Sequence, residues 1–445
     1  MRLEQTVDPE VTASSPVKDS RSEQSGFLRQ IWERYASTLA QQVLTAGLGL
    51  ISGLLTPRLL GPHGRGELAA IILWPLALML FCSAGTSRAT VFFAAKHREN
   101  VSTVASTCLI LGTAQSLLVV LVGLAVIPVA LRSHGAETVK WSLIFLCSVP
   151  ILRTVDLLRS LFLGTLNVKW YNVSLVIPSA CYALSIAVLF FLKFASIPMI
   201  IVCQLAGYAM TAWLALQVVK RKLQPSWQPD RIMMKGLLRY SFKGYFGETT
   251  SFMNQRLDQL LISLFLPSAQ LGIYVAAVAI TDGLLILPRG IGIVTLAAGS
   301  NSETAGALRV LRRSILLTFL WLAPASGALW VLSPIIIPRL FGAAFGLSVL
   351  PCRILILGSC AMGFGTVLSE WARSVNRPEI PSYAELLGLV VTVSLMALLL
   401  KPYGIAGAAV ASSVAYTATL IFAAVFLFRT RVANPGEPVS AGDTA

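Results

Sequence analysis

The chain has 445 residues, of which 56% are hydrophobic and 12% charged, and its formal net charge is +15. Soluble domains carry about 25% charged residues, so this chain has too few charges to cover a water-facing surface of its size. A soluble enzyme or a nucleic-acid-binding module is excluded, and the basic surplus is that of the loops of a membrane protein. The apolar residues come in blocks of about 20, the length that spans ~30 Å of hydrocarbon. The blocks lack period-two alternation, so they are helices and not barrel strands.

In chain order, residues 1–35 are polar and of mixed charge, with no signal-peptide core. They read as a cytoplasmic tail, with a short interfacial helix near Phe27–Tyr35. Twelve spans follow, at 36–57, 68–94, 104–130, 141–163, 170–192, 197–218, 238–266, 271–297, 313–337, 347–372, 380–400 and 404–428. The longest polar connection is Lys220–Arg239, with two prolines and six basic residues. It divides a six-helix lobe at 36–219 from a second at 238–428, with 220–237 as a basic linker and 429–445 as a cytoplasmic tail. Sixteen loop and tail lysines and arginines fall on the side of the termini and seven on the other, counting Arg65 among the latter, so both termini are expected in the cytoplasm.

The two halves echo each other. Shifted by 206 residues, LLGPHGRGELAAI (59–71) lies on FLPSAQLGIYVAA (265–277), with Gly66 on Gly272. At a shift of 208, Leu192-Lys193 meets Leu400-Lys401 and Tyr208 meets Tyr416. With six helices per half, the repeats enter the membrane in the same direction.

No enzyme motif survives inspection, and no outer loop is long enough to fold as a catalytic domain. The seven cysteines lie inside apolar blocks, and His63, His97 and His134 are scattered in loops. No cofactor or metal is expected. The chemistry rests on charges inside spans, each costing roughly 2.5–3.5 kcal/mol at the bilayer centre. These are Arg88, Arg153, Asp156, Arg159, Lys243, Glu248, Arg256, Asp258, Asp282, Arg289, Arg353, Glu370 and Glu385, with basic residues in the majority. Helical spacing lets Arg153 pair with Asp156 and puts Asp282 and Arg289 on one face. Arg256 and Asp258 cannot both face one cavity, so one of them bonds a neighbouring helix. Glu248, Gln255 and Gln259 share a polar face expected to line a cavity. The candidate cargo-binding residues are Arg88, Arg153, Arg159, Arg256, Arg289, Gln255 and Gln259. An arginine surplus suits an anion, because the guanidinium fork fits phosphate and carboxylate oxygens. The alternative role for each of these charges is an ion pair that only holds helices together. Gly47, Gly49 and Gly53 have the spacing of a close helix contact. Pro75, Pro150, Pro178, Pro288 and Pro324 are candidate kinks.

RLLGPHGRGELAAI (58–71) resembles the entry signature of bacterial polysaccharide transporters, the Wzx-type O-antigen flippases of the multidrug/oligosaccharidyl-lipid/polysaccharide superfamily. NQRLDQLLISLFLPSAQLGIYVAA (254–277) resembles its second-half counterpart, and GTLNVKWYNVS (164–174) and RSVNRPEIPSY (373–383) resemble paired connectors. The resemblance implies a V-shaped cavity between two lobes, in a bacterial inner membrane. It implies an undecaprenyl-diphosphate-linked oligosaccharide as cargo, with membrane lipids around it and a polymerase and chain-length regulator as partners. A proton or sodium gradient would then act on Glu248, Asp258 or Asp282. The rivals are a drug exporter of the same superfamily and a lipid II-type flippase. The first span has no acidic residue, which disfavours the former, and two further spans are missing for the latter.

Overall fold

The computed structural model describes residues 20–83, 85–223, 229–300 and 304–433. Its side chains are described within 37–427, apart from residues 39, 223, 243, 244, 246–248, 304 and 305. The described elements are α-helices joined by short turns and three 3₁₀ segments: α1 (Ser20–Ser83), α2 (Thr86–Lys96), α3 (Val101–Ala130), α4 (Ala136–Cys147), α5 (Val149–Gly164), α6 (Val168–Phe191), α7 (Ile197–Leu223), α8 (Arg231–Phe265), α9 (Ser268–Leu284), α10 (Ile286–Ser300), α11 (Thr304–Phe341), α12 (Val349–Ser374) and α13 (Glu379–Ala433).

Among the described residues, seven helices are long and apolar enough to cross a bilayer, or nine when the bent pairs α4–α5 and α9–α10 each form one span. The apolar stretches of α1 and α13 run 44 and 49 residues, about twice one crossing. Each is broken by a glycine on the left-handed side of φ, Gly61 (φ 66°) and Gly404 (φ 54°), so each crosses twice. With the charge-bearing α8, the total is twelve, as the sequence blocks indicate. An even number brings the outer ends of the first and last spans to one face of the membrane, the terminal face. Gly61 and Gly404 turn the chain at the opposite face.

Helix ends differ from the sequence reading where local chemistry extends them. The second span begins at Pro62 and not near residue 68: Pro62 follows the Gly61 break at the first helical position, where proline has no N–H to lose. Arg65 and His63, read as loop residues, are therefore helical. The basic linker shrinks because Lys220, Arg221 and Lys222 form the last turn of α7. Asp230 opens α8 two turns earlier than expected, its Oδ1 accepting from the amides of Ile232 (2.7 Å) and Met233 (3.2 Å). Residues 1–19 lie outside the described residues, and α1 begins at Ser20. A methyl group at Gly47, Gly49 or Gly53 would meet nothing within 4 Å, so this stripe makes no helix contact among the described residues.

Three spans are broken within the membrane: the fourth, between α4 and α5 with a 42° bend, and the second and eighth, which are corresponding spans of the two halves. The second breaks between α1 and α2, where Gly85 has φ 73°. The eighth breaks between α9 and α10 with a 44° bend, three residues before Pro288. Pro288 cannot bond the carbonyl four residues back. That carbonyl, of Leu284, instead accepts from Trp321 Nε1 at 3.0 Å. At the first break the carbonyl of Ser83 is served by Gln115 Nε2 (3.1 Å) and Thr86 Oγ1 (2.8 Å). Pro75 and Pro324 lie inside continuous helices.

The core has two clusters where the lobes meet, the smaller joining Leu73 and Ala77 to Met253 and Leu260, and separate clusters elsewhere. Ala70, Leu78 and Val119 of the first half pack with Leu271, Tyr274 and Ala276 of the second in one continuous cluster. Near the terminal face the halves keep distinct cores, one around Phe162 and Val219 and one around Trp371 and Leu427. Leu237 and Met233 of α8 join the former.

Candidate functional site

At the opposite face the lobes touch backbone to backbone. A methyl group on Gly66 would collide with the carbonyl of Ser268 and lie 2.9 Å from the amide of Gly272. A methyl group on Gly272 would collide with the carbonyl of Pro62 and lie 2.8 Å from the amide of Gly66. Each residue sits 206 positions from its counterpart, Pro62 to Ser268 and Gly66 to Gly272. The contact is therefore self-complementary, as at a two-fold interface. Arg58 closes the same end, donating from Nε to the Leu340 carbonyl at 2.5 Å and from Nη2 to that of Arg339. These are the unpaired carbonyls at the C-terminus of α11, the negative end of its dipole.

Below this seal, a broken span of each lobe carries a charged cluster. In the first lobe, Arg153 of α5 is 3% exposed. Its Nη1 donates to Asp156 Oδ2 (2.6 Å) and Ser87 Oγ (2.8 Å), while Nη2 donates to Gln115 Oε1 (3.2 Å) and Thr86 Oγ1. Ser87 Oγ donates in turn to Asp156 Oδ2 at 2.5 Å. This network ties α5 and α3 to the start of α2. Arg153, a sequence candidate for cargo binding, is thus consumed in lobe packing. Arg159 also turns to a neighbouring helix, donating from Nη2 to the Ser174 carbonyl of α6 at 2.9 Å.

In the second lobe, Arg256 of α8 and Arg289 of α10 both approach Asp282 of α9, each at 3.9 Å. The three side chains are 37–47% exposed. Two arginines on one carboxylate leave a net positive charge. Gln255, Arg256 and Asp282 line a narrow pocket together with Tyr416. It adjoins a cleft of ≈ 820 Å³ whose wall includes Asn254, Gln255, Arg289, Glu370, Arg373 and Glu385. Glu370 is taken up by Arg373 at 2.5 Å. Glu385 lies within electrostatic reach of Arg373, of Arg88 from the first lobe, and of Glu370. Asn254 Nδ2 holds α8 to α13 through the Glu385 carbonyl at 2.8 Å.

Of Arg256 and Asp258, Asp258 is the one that bonds neighbouring helices. It is 3% exposed and accepts from Tyr274 Oη (2.5 Å), Ser412 Oγ (3.1 Å) and the Gln259 amide (2.7 Å). Its acceptor sites are filled from α8, α9 and α13, so it is more fully engaged by protein donors than Asp282. Gln259, expected on the cavity face with Gln255, is 4% exposed and its Nε2 is buried with no acceptor. The side chain of Glu248 lies outside the described residues.

Sequence reasoning missed Arg65. Its Nε is buried without an acceptor, and the charge of Arg256 and the phenol of Tyr182 act on it. The available signal was Gly61-Pro62, a helix start that places Arg65 inside the first turn. Among the described residues no group of three or more His, Cys, Asp or Glu side chains converges as a metal site.

A family model described as polysaccharide biosynthesis protein matches residues 31–294. The probable low-salt glycan biosynthesis flippase Agl15 of Haloferax volcanii is 22% identical over 228 residues, 50% of this chain and 48% of that protein. The match thus spans about half the relative's length. Among solved structures, the inward-facing conformation of a multidrug resistance MATE family transporter of the MOP superfamily superposes with a TM-score of 0.73 at 15% identity, covering 87% of this chain and 94% of the other. The lipid II flippase MurJ in its inward closed conformation gives 0.71 at 16% identity, covering 89% and 87%. These likenesses establish the fold as a polytopic, MATE-like helical bundle.

Proposed function

The chain belongs to the polysaccharide biosynthesis protein family, and on that premise we propose that it flips a lipid-linked anionic oligosaccharide across a bacterial inner membrane. The observation that carries the reading is the pair Arg256 and Arg289 on the single carboxylate of Asp282, beside a cleft lined by Gln255 and Arg289. A diphosphate entering here competes with Asp282 for both guanidinium groups and offers each a bidentate partner. Within the Asp282 cluster a cationic drug meets two arginines against one carboxylate, whereas the adjoining cleft wall balances Arg289 and Arg373 with Glu370 and Glu385. The chain acts in this reading as a transporter and not as a catalyst.

The cargo is an undecaprenyl-diphosphate-linked repeat unit, moving from the cytoplasmic to the periplasmic leaflet, with both chain termini in the cytoplasm. Lobes at 36–219 and 238–428, related by an axis along the membrane normal, rock against each other to alternate access. The state with Gly66 on Gly272 is closed at the opposite face, and separating that contact opens the exit. Asp282, released when the cargo takes its arginines, is the carboxylate available to a proton or sodium ion, which couples the cycle to a gradient. A polymerase and a chain-length regulator consume the product.

The test is deletion of the gene in its host, followed by assay of surface polysaccharide and of the leaflet holding the lipid-linked repeat unit. Loss of the surface glycan with complete units stranded on the cytoplasmic leaflet is the expected result. Intact polysaccharide with new sensitivity to cationic drugs refutes the proposal.

A further inference from the structure

A second pocket, mainly apolar with Arg353 and Gln270 as its polar groups, lies at the opposite face, wholly within the second lobe and away from the arginine cleft. It is an open groove, and its wall includes Arg353, Gln270, Tyr403 and Leu347 and no carboxylate. Arg353 sits near the start of α12, about 6 Å along the helix at ~1.5 Å per residue. Its guanidinium lies over the Trp330 ring, 4.6 Å from the centroid. Nε donates to the Trp330 carbonyl (3.1 Å) and approaches Ser333 Oγ (3.3 Å). These contacts fix the plane of the guanidinium and leave its two terminal amino groups without a protein acceptor among the described residues. The carbonyl oxygen of Gln270 is buried with no donor, against the turn at Gly404. Tyr403 is 65% exposed at the same rim.

A held, uncompensated guanidinium asks for an anion with paired oxygens. An amide oxygen without a donor beside it asks for a hydroxyl. A phosphate ester carrying hydroxyl groups supplies both, and this depth is where lipid headgroups lie. We propose that this pocket binds the anionic phosphate headgroup of a lipid at the opposite face. The lipid is either a bilayer phospholipid or a polyprenyl diphosphate arriving after transport. The site is separate from the arginine cleft, so it can stand or fall independently of the transport reading.

A photo-crosslinking amino acid in place of Leu347, which is 72% exposed on the pocket wall, reports occupancy. A second probe at Leu357, 66% exposed further along α12, serves as control. The full chain is placed in nanodiscs of equimolar phosphatidylglycerol and phosphatidylcholine, and adducts are identified by mass. The expected result is at least fivefold enrichment of phosphatidylglycerol at 347 and none at 357. Arg353→Gln removes the enrichment, and Arg353→Lys retains part of it. Gln270→Leu, which keeps the charge, weakens it about twofold to threefold. Added farnesyl diphosphate that displaces the phosphatidylglycerol adduct at low molar excess identifies the transported class as ligand; failure to displace identifies the phospholipid. Equal labelling by both phospholipids, with no farnesyl diphosphate adduct, overturns the site. Enrichment that survives Arg353→Gln in a folded protein also overturns it.

Discussion

Replacing Gly272 by alanine should pry the two lobes apart at their closed end. The added methyl group points at the Pro62 carbonyl, and it meets backbone, which cannot rotate away as a side chain could. It falls short of normal contact by more than ~1 Å, so the α1–α9 pair must separate. Forcing an extra methyl into a packed contact costs about 1–3 kcal/mol. If all of that falls on the closed state, the equilibrium shifts roughly 5- to 150-fold towards the state in which this contact is broken. The fold itself keeps its lobe cores, which lie elsewhere. Spin labels at Lys140 of the first lobe and Tyr403 of the second, in a background without the seven native cysteines, report the separation by pulsed dipolar spectroscopy. The long-distance population should grow in Gly272→Ala and in Gly66→Ala. The double variant should add little, because both methyl groups act on one contact. Gly47→Ala, with nothing within 4 Å, is the control. An unchanged distance distribution in Gly272→Ala would falsify the role of this contact as the seal.

Further outcomes follow from the same geometry. Arg153→Ala leaves Asp156 without its cation in a half-buried network and should cost about 3–5 kcal/mol of stability, read as loss of monodisperse protein, whereas Arg256→Gln should leave the melting temperature within about 2 °C and abolish transport. Tyr274→Phe removes the short bond to Asp258 and should cost about 1–3 kcal/mol, with Ser412→Ala smaller, as measured by thermal unfolding in detergent. Burial lowers the affinity of His134 for its proton, against the pull of Glu67 and with the push of His63. The fold favours the neutral ring, so this stability is present above about pH 6.5 and is lost as pH falls through the lower folded value. The melting temperature should drop between pH 7.5 and pH 5.5 by more in the parent than in His134→Gln; equal drops would remove His134 as the cause.

The twelve spans, the halves and the Gly66–Gly272 correspondence were legible because hydropathy blocks and loop chemistry are local. The Arg153–Asp156 and Asp282–Arg289 pairs were legible because three and seven residues return a helix to one face. What was not legible was which face of each helix meets the cleft. Gln259 and Gln255 are four apart, yet one is buried and the other lines the cleft. The packing of α9 and α13 around Asp258 decides this, and no spacing within α8 encodes it. Arg153 likewise reads as a free charge until α2 and α3 supply Ser87, Thr86 and Gln115. Arg65 was hidden by a short polar run that reads as a loop but begins a helix at Pro62.

The most direct test of the account is flipping by the purified chain in liposomes that carry a fluorescent polyprenyl-diphosphate oligosaccharide, scored by how much label a membrane-impermeant quencher reaches. The account predicts equilibration between leaflets for the parent chain, and retention at the empty-liposome level for Arg256→Gln with Arg289→Gln. Failure of the folded parent to move the glycolipid under an imposed proton or sodium gradient, or equal rates in the parent and the double variant, would contradict it.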